Sequence, residues 1–186
     1  MKLMEDYQMN RLLVMTTALV LAAVPVANAE QGFSAGVSLG YATVEVEDSG
    51  LSFDGSAVGW KLFGRYMFTD NWGIEGGYID FGTPDEDILG VNVEVDANGF
   101  DLFAVGAFPT SSNFELFGKL GFVSWDADAK AEGLTDSDDG TDLALGFGGA
   151  YKASDQFSIR GEFEWFDIDD TDAVWMLSIG GEVRFQ

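Results

Sequence analysis

Apolar and polar side chains alternate with a period of two residues in eight separate segments of this chain. One phase of each alternation is apolar or glycine, and the other phase carries polar and charged side chains. Successive side chains of a β-strand point to opposite faces, so the pattern indicates eight strands whose two faces meet different environments. The segments lie at positions 33–41, 58–68, 72–78, 100–108, 114–122, 143–151, 157–165 and 175–185.

The connections between these segments are alternately short and long, which predicts an antiparallel meander with tight turns at one end and loops at the other. Pro84 and Pro109 both fall in connections, where the missing N–H donor interrupts no hydrogen-bond ladder. The short connections lie at 69–71, 109–113 and 152–156, and the long ones lie near 45–57, 80–98, 126–141 and 167–173.

Aromatic residues stand at both ends of the apolar phase. Every segment has one at its short-turn end: Phe33, Phe68, Trp72, Phe108, Phe114, Tyr151, Phe157 and Phe185. A second ring stands at the other end: Tyr41, Trp60, Tyr78, Phe100, Phe122, Trp165 and Trp175. About eight residues usually separate the rings, which at ~3.3 Å per residue and a tilt near 40° gives roughly 20 Å.

Two aromatic girdles at this separation are typical of a barrel that crosses a membrane, because aromatic rings favour the boundary between hydrocarbon and headgroups. We therefore predict an all-β fold, a transmembrane eight-stranded antiparallel up-and-down β-barrel. A soluble barrel is the alternative.

The N-terminal region has the pattern of an export signal. Arg11 precedes an apolar run at 12–23, and Ala27-Asn28-Ala29 supplies the small-x-small pattern of a cleavage site. We predict a signal peptide over residues 1–29 and a barrel domain over residues 30–186. Met9 is the expected start of translation, and Met1 is the alternative. The apolar run is short for a membrane helix, although a retained anchor is the alternative.

An exported barrel predicts the outer membrane of a Gram-negative bacterium. We expect the N-terminus and the short turns to face the periplasm, and the long acidic loops to face outside.

The polar phase points into the predicted barrel and carries most of the basic residues. An eight-stranded barrel leaves room only for its own side chains, so charges there must be held by ion pairs. We predict a lumen charge cluster of Lys61, Arg65, Glu75, Lys119, Arg160, Glu162, Glu182 and Arg184, and Asp101, Glu115 and Glu164 share its face. A space-filling polar core, a narrow ion path and a catalytic carboxylate pair are the three interpretations of this cluster.

The composition argues against several functions. The chain has no histidine and no cysteine, so neither a Ser-His-Asp triad nor a thiolate metal site can be assembled. Its formal net charge of -23 makes binding to nucleic acid unfavourable. We therefore expect no enzymatic activity, no cofactor and no nucleic-acid partner.

The long connections hold most of the negative charge. A solvated acidic surface is the simpler interpretation. The alternative is calcium or magnesium bound between the protein and lipopolysaccharide phosphates, because hard cations prefer several oxygen ligands. The candidate ligands are Asp136, Asp138, Asp139, Asp167, Asp169 and Asp170. Their spacing does not match an EF-hand, so we predict no firm metal site.

Four stretches resemble the membrane domain of the outer membrane protein A family of small eight-stranded barrels: KLFGRYMFTDNWGIEGGYIDFG at 61–82, FELFGKLGFVSWDAD at 114–128, SIRGEFEW at 158–165 and MLSIGGEVRF at 176–185. The resemblance implies an assembly signal, read by the outer-membrane assembly machinery, at Ser178, Gly180, Val183 and Phe185. The family usually ends on the aromatic residue that corresponds to Phe185, and this sequence departs from that pattern because Gln186 follows it. The periplasmic peptidoglycan-binding domain of larger relatives is not expected here.

The resemblance also implies a lumen gate, which this sequence carries only in part. Glu75 and Arg160 match the central pair of the family, and Lys119 matches a basic lumen position. The alternative Lys and Glu partners of the family fall on Val105 and Ala150, so a partner-switching gate is not implied.

Together these observations predict a monomeric, non-enzymatic barrel with a plugged lumen that contributes to envelope integrity and surface contact, in contact with outer-membrane lipid and lipopolysaccharide. A narrow porin-like channel for ions or small solutes is the first alternative. An adhesin or receptor that acts through the acidic loops is the second.

Overall fold

The structure is a computed structural model that describes residues 32–48, 51–88, 91–131, 134–168, 171 and 173–185. The predicted signal peptide lies outside these residues. The described residues form no helix that is long and apolar enough to cross a membrane. They form nine strands: β1 (Phe33–Asp48), β2 (Leu51–Met67), β3 (Trp72–Asp80), β4 (Asp85–Ile88), β5 (Val91–Pro109), β6 (Phe114–Ala131), β7 (Leu134–Lys152), β8 (Phe157–Phe166) and β9 (Ala173–Arg184).

Eight of these strands close into a ring. Each pairs antiparallel with its neighbours in the order β3-β2-β1-β9-β8-β7-β6-β5, and β3 pairs with β5 to complete the circle. β4 lies outside the ring and pairs with the start of β5, from Asp85 opposite Glu94 to Ile88 opposite Val91. The predicted eight-stranded up-and-down barrel is therefore confirmed, with one extra short strand at its rim.

Three of the four predicted long loops are largely strand, which corrects the sequence prediction. β1 and β2 pair as far as Asp48 opposite Leu51, and β6 and β7 pair as far as Ala131 opposite Leu134. The predicted loop at 80–98 contains β4 and the start of β5. Beyond the membrane both faces of a strand meet water, so the hydrophobic alternation ends before the strand does. The connection between Phe166 and Ala173 remains a loop, as predicted.

The three short turns contain the same kind of side-chain hydrogen bond. In each turn a hydroxyl group accepts a hydrogen bond from the backbone N–H of the first residue of the next strand: Thr69 Oγ1 from Trp72 at 3.0 Å, Ser111 Oγ from Phe114 at 3.1 Å, and Ser154 Oγ from Phe157 at 3.1 Å. Ser and Thr side chains favour such turns because they replace a missing backbone acceptor.

The outer wall is apolar, as the alternation predicts. Val58, Ile179 and many other large hydrophobic residues are exposed around the ring, a surface that suits hydrocarbon rather than water. The end of the barrel that carries the long connections is called the hairpin end here. Ring contacts join aromatic residues of neighbouring strands along the girdle at this end: Tyr41 with Trp175, Trp60 with Tyr78, and Tyr78 with Phe100.

Candidate functional site: the lumen

Arg160 and Glu75 meet across the lumen. Arg160 lies on β8 and Glu75 on β3, which stand on opposite sides of the ring. Arg160 Nη1 donates to Glu75 Oε2 at 2.7 Å, and Arg160 Nη2 lies 2.9 Å from Glu162 Oε2. Glu182 Oε2 lies 3.7 Å from the same guanidinium. This arginine therefore joins three strands through the interior.

Lys119 extends the same set of ion pairs toward the hairpin end. Its Nζ lies 2.7 Å from Glu75 Oε1 and 2.8 Å from Glu164 Oε1, and it also contacts Glu162. Lysine has three donors and no acceptor. All three donors therefore have a carboxylate within reach.

Lys61 forms the part of the cluster nearest the hairpin end. Its Nζ lies 2.6 Å from Glu164 Oε1 and 2.7 Å from Asp101 Oδ2. Shared carboxylates link these three cations into one buried charge network, composed of Lys61, Glu75, Asp101, Lys119, Arg160, Glu162, Glu164 and Glu182.

Phenylalanine rings surround the cations of the charge network. The Arg160 guanidinium carbon lies 4.5 Å from the ring centre of Phe63 and 4.3 Å from that of Phe117. Lys119 Nζ lies 4.3 Å from the ring centre of Phe103. A cation over a ring face is stabilised by the ring quadrupole, most strongly where water is excluded.

Glycines on the inner face make room for these side chains. A Cβ on Gly36 would lie 2.3 Å from Phe63 Cζ, and a Cβ on Gly148 would lie 2.6 Å from Phe117 Cζ. The inner glycines and the large inner side chains therefore fill the lumen together.

The two remaining arginines of the predicted cluster behave differently. Arg65 is buried but pairs with Glu115 at 3.1 Å, outside the charge network. Arg184 is exposed and forms no ion pair with any residue that the structure describes. Arg184 therefore lines the lumen, as predicted, but at the open short-turn end and outside the ion-paired cluster.

Asp101, Glu115 and Glu164 were not in the predicted cluster, although each is buried and ion-paired. The alternation places all three on the inner face. It does not give their depth in the barrel, which depends on the register between strands.

An open vestibule of about 780 Å³ occupies the lumen at the short-turn end. Its lining is partly apolar, and its polar part is mixed in charge and includes Ser34, Arg65, Glu115, Ser158, Glu182 and Arg184. Glu182 is also a member of the charge network, so the vestibule reaches that network directly. Ser34 Oγ donates to Glu182 Oε1 at 2.5 Å.

The hairpin end of the lumen is closed by an apolar cap, defined here as Ile79, Phe81, Val123, Phe166, Val174 and Met176. Each is at most 2% exposed. The Phe81 and Phe166 rings meet edge to face at 5.1 Å. This cap is not among the features predicted from the sequence. The signal that identifies it is the apolar residues that interrupt the polar phase at the long-connection ends of the segments.

A family model described as the outer membrane protein beta-barrel domain matches residues 14–185. The chain belongs to this family. The attachment invasion locus protein of Yersinia pseudotuberculosis is 26% identical over 176 residues, which cover 92% of this chain and 97% of that protein.

Two further family relatives bear on the fold. Outer membrane protein A of Shigella flexneri is 26% identical over 140 residues, which cover 69% of this chain and 40% of that protein. The crystal structure of the attachment invasion locus protein of Yersinia pestis, in complex with the heparin analogue sucrose octasulfate, is 25% identical with a TM-score of 0.57. The match covers 83% of this chain and 99% of that one. The predicted resemblance and the outer-membrane location are confirmed.

The seam of the family barrel joins β1 to β9, where the predicted assembly signal lies. Phe185 N–H donates to Phe33 O at 2.9 Å, and their rings lie 5.6 Å apart. Ser178 is buried, and Val183 is exposed on the outer wall. A Cβ on Gly180 would lie 2.4 Å from Val37 O, so only glycine fits there without a shift of the seam.

Two apolar residues stand at the positions that the family resemblance assigns to alternative gate partners. Val105 and Ala150 pack with Phe117 in a small buried cluster. Neither side chain can form an ion pair, so Arg160 and Glu75 have no alternative partners at these positions.

The described candidate ligands for divalent cations do not converge. Asp136, Asp138 and Asp139 are exposed along β7, and Asp167 follows β8. Asp169 and Asp170 lie outside the described residues. Within the described part of the chain, no group of three or more acidic side chains is placed to hold a metal ion. The solvated acidic surface is the simpler account of these residues.

Proposed function

We propose that this chain is a closed, monomeric, non-enzymatic outer-membrane barrel that contributes to envelope integrity and presents its hairpins for surface contact. Its partners in this role are outer-membrane lipid, lipopolysaccharide and, during insertion, the assembly machinery. In this proposal the short turns face the periplasm and the long acidic hairpins face outside.

The observation that carries the proposal is the filled lumen. Three cations and five carboxylates are buried there, within reach of one another. Such a network is stable only when its members stay paired, because an unpaired charge in a confined space is costly. The paired charges brace the wall from inside and leave no continuous path through the lumen for a solute. This favours the plugged barrel over the porin-like channel.

Conductance across a planar lipid bilayer tests the proposal. Refolded wild-type protein should insert and give no steady current above the bare membrane. A larger porin with a water-filled channel serves as the positive control. Large and steady wild-type conductance would place the channel hypothesis first.

Surface contact is supported by the hairpins and by one relative. β6 and β7 extend past the girdle at their hairpin ends, where Asp126 and Asp128 of β6 and Asp136 of β7 are exposed. The attachment invasion locus protein, which this chain matches over nearly its full length, is named for attachment. A sulfated sugar such as the one bound to the Yersinia pestis protein would be repelled here. A basic partner surface fits the acidic hairpins better.

Adhesion of bacteria that display the protein tests this second role. Cells expressing the wild-type protein should adhere to a surface coated with a basic polypeptide more than vector controls do, and a surface coated with heparin should not retain them. Changing Asp126, Asp128 and Asp136 to Asn should reduce adhesion at unchanged surface expression. Equal adhesion of this variant would remove the acidic hairpins from the proposal.

A further inference from the structure

We propose that two independent barriers in series close the lumen, so that the charge network exchanges with solvent through the short-turn end alone. The proposal rests on the proposed function, since it specifies how the barrel is closed. The first barrier is the charge network and the second is the apolar cap.

The cap lies directly against the charge network. Register pairs join them on three pairs of strands: Ile79 is opposite Lys61, Val123 is opposite Asp101, and Met176 is opposite Glu164. Paired residues are neighbours across adjacent strands, so their side chains on the inner face lie next to each other. Every member of the charge network nearest the hairpin end therefore has a cap residue beside it.

The cap also crosses the lumen from opposite walls. Phe81 follows β3, and Phe166 ends β8, which is on the far side of the ring. Their edge-to-face contact joins the two sides, and both side chains are buried. A constriction lined by apolar side chains excludes ions because they cannot be hydrated there.

A short strap holds Phe81 in place after its strand has ended. Phe81 N–H donates to Ala97 O at 2.9 Å, and Val95 N–H donates to Pro84 O at 3.0 Å. Between them, Gly82 has a φ of +76°, which favours glycine. The backbone thus turns Phe81 into the lumen and fixes it there, so the cap is part of the folded wall rather than a free side chain.

The opposite side of the charge network is open. The vestibule lies there, and Glu182, Arg65 and Glu115 line it. Water and small ions can therefore reach the network from the short turns, whereas the cap separates it from the hairpins. Removing the charges leaves the apolar barrier, and removing the cap leaves the charged one.

Conductance of three variants tests the series arrangement. The network variant carries Glu75→Ala with Arg160→Ala, the cap variant carries Phe81→Ala with Phe166→Ala, and the third carries all four changes. Each two-site variant should remain as closed as wild type, and the four-site variant should gain a steady conductance that the others lack. A network variant that conducts as well as the four-site protein would overturn the proposal. Wild-type conductance would instead refute the proposed function.

Cysteine accessibility provides a second test if the four-site variant does not fold. The chain has no cysteine of its own, so single cysteines can be labelled selectively. With a charged, membrane-impermeant maleimide, Ser158→Cys in the vestibule should react in the folded protein. Ala144→Cys, which packs in the buried cluster of the cap, should react only after unfolding. Rapid labelling of Ala144→Cys in the folded barrel would show that the hairpin end is open and would overturn the proposal.

Discussion

Arg160 Nη1 lies 2.7 Å from Glu75 Oε2, so one hydrogen-bonded ion pair joins two strands on opposite sides of the barrel. The guanidinium also lies over the rings of Phe63 and Phe117. Arg160 therefore stabilises the barrel through ion pairing and through packing, and removal of its side chain loses both contributions.

Arg160→Ala should destabilise the barrel by about 3 to 5 kcal/mol, because it leaves buried carboxylates without their partner. Arg184→Ala is the matched control. It removes the same side chain from the same inner phase, but at an exposed position without an ion pair, and it should change stability by no more than about 0.5 kcal/mol. Urea unfolding of both variants in detergent micelles measures the difference, and equal losses would contradict the buried network.

The double change Glu75→Ala with Arg160→Ala should recover part of the stability that Arg160→Ala loses. The reason is that Glu75, which has lost its arginine partner, is removed as well, although Lys119 then loses one of its carboxylates. A double-mutant cycle in the same unfolding assay gives the coupling energy. Strictly additive losses would mean that the two side chains do not interact in solution.

Gly148→Ala should destabilise the barrel by about 1 to 3 kcal/mol through overpacking. The added Cβ would lie 2.3 Å from Gly161 O and 2.6 Å from Phe117 Cζ. Gly161→Ala on the neighbouring strand is the control, because its Cβ would meet nothing within 4 Å. If the two alanine variants unfold at the same urea concentration, the lumen is looser than the structure indicates.

Phe185→Ala should reduce the fraction of protein that assembles into the heat-modifiable form. A closed barrel resists detergent until it is boiled, so its folded and unfolded forms migrate differently on gels. The ring pair with Phe33 contributes about 0.5 to 1.5 kcal/mol beyond its buried area. Phe108→Ala removes an aromatic residue from the same girdle away from the seam, and it should assemble better than Phe185→Ala.

The thermal midpoint should rise with ionic strength, and equally in sodium and calcium chloride at the same ionic strength. Asp126 and Asp139 stand directly opposite each other on β6 and β7, and like charges in register repel until salt screens them. Asp139→Asn should therefore raise the midpoint at low salt and weaken its salt response. A rise specific to calcium would instead establish a divalent-cation site among the acidic loops.

The barrel wall could be predicted from the sequence because the membrane imposes one rule on every strand. Leu102 and Phe122 face hydrocarbon, whereas Phe103 and Val123 face the lumen. The alternation of the sequence therefore shows directly which face of the wall each residue occupies. The alternation ends at the girdle, so the sequence predicts loops where the structure has the hairpin extensions and β4.

The interior was only partly predictable, because alternation gives the face of a residue but not its height. The Glu75 and Arg160 pair followed from matching family positions. The pairing of Lys61 with Asp101 and Glu164 depends on the stagger between strands, which only the register supplies. The cap is hidden in the sequence for a related reason, since Ile79 and Phe81 resemble isolated apolar interruptions of a polar face until the register brings them together.

The seam between β1 and β9 makes the integrity of the wall an all-or-none property. Ser34 and Glu182, which bond across it, are 148 positions apart in the chain, so the ring closes only when nearly the whole described sequence is in place. Any partial arc would leave two rows of unpaired backbone groups in hydrocarbon, where no water can satisfy them. A single half of this barrel would therefore be unstable as a separate open sheet in the bilayer.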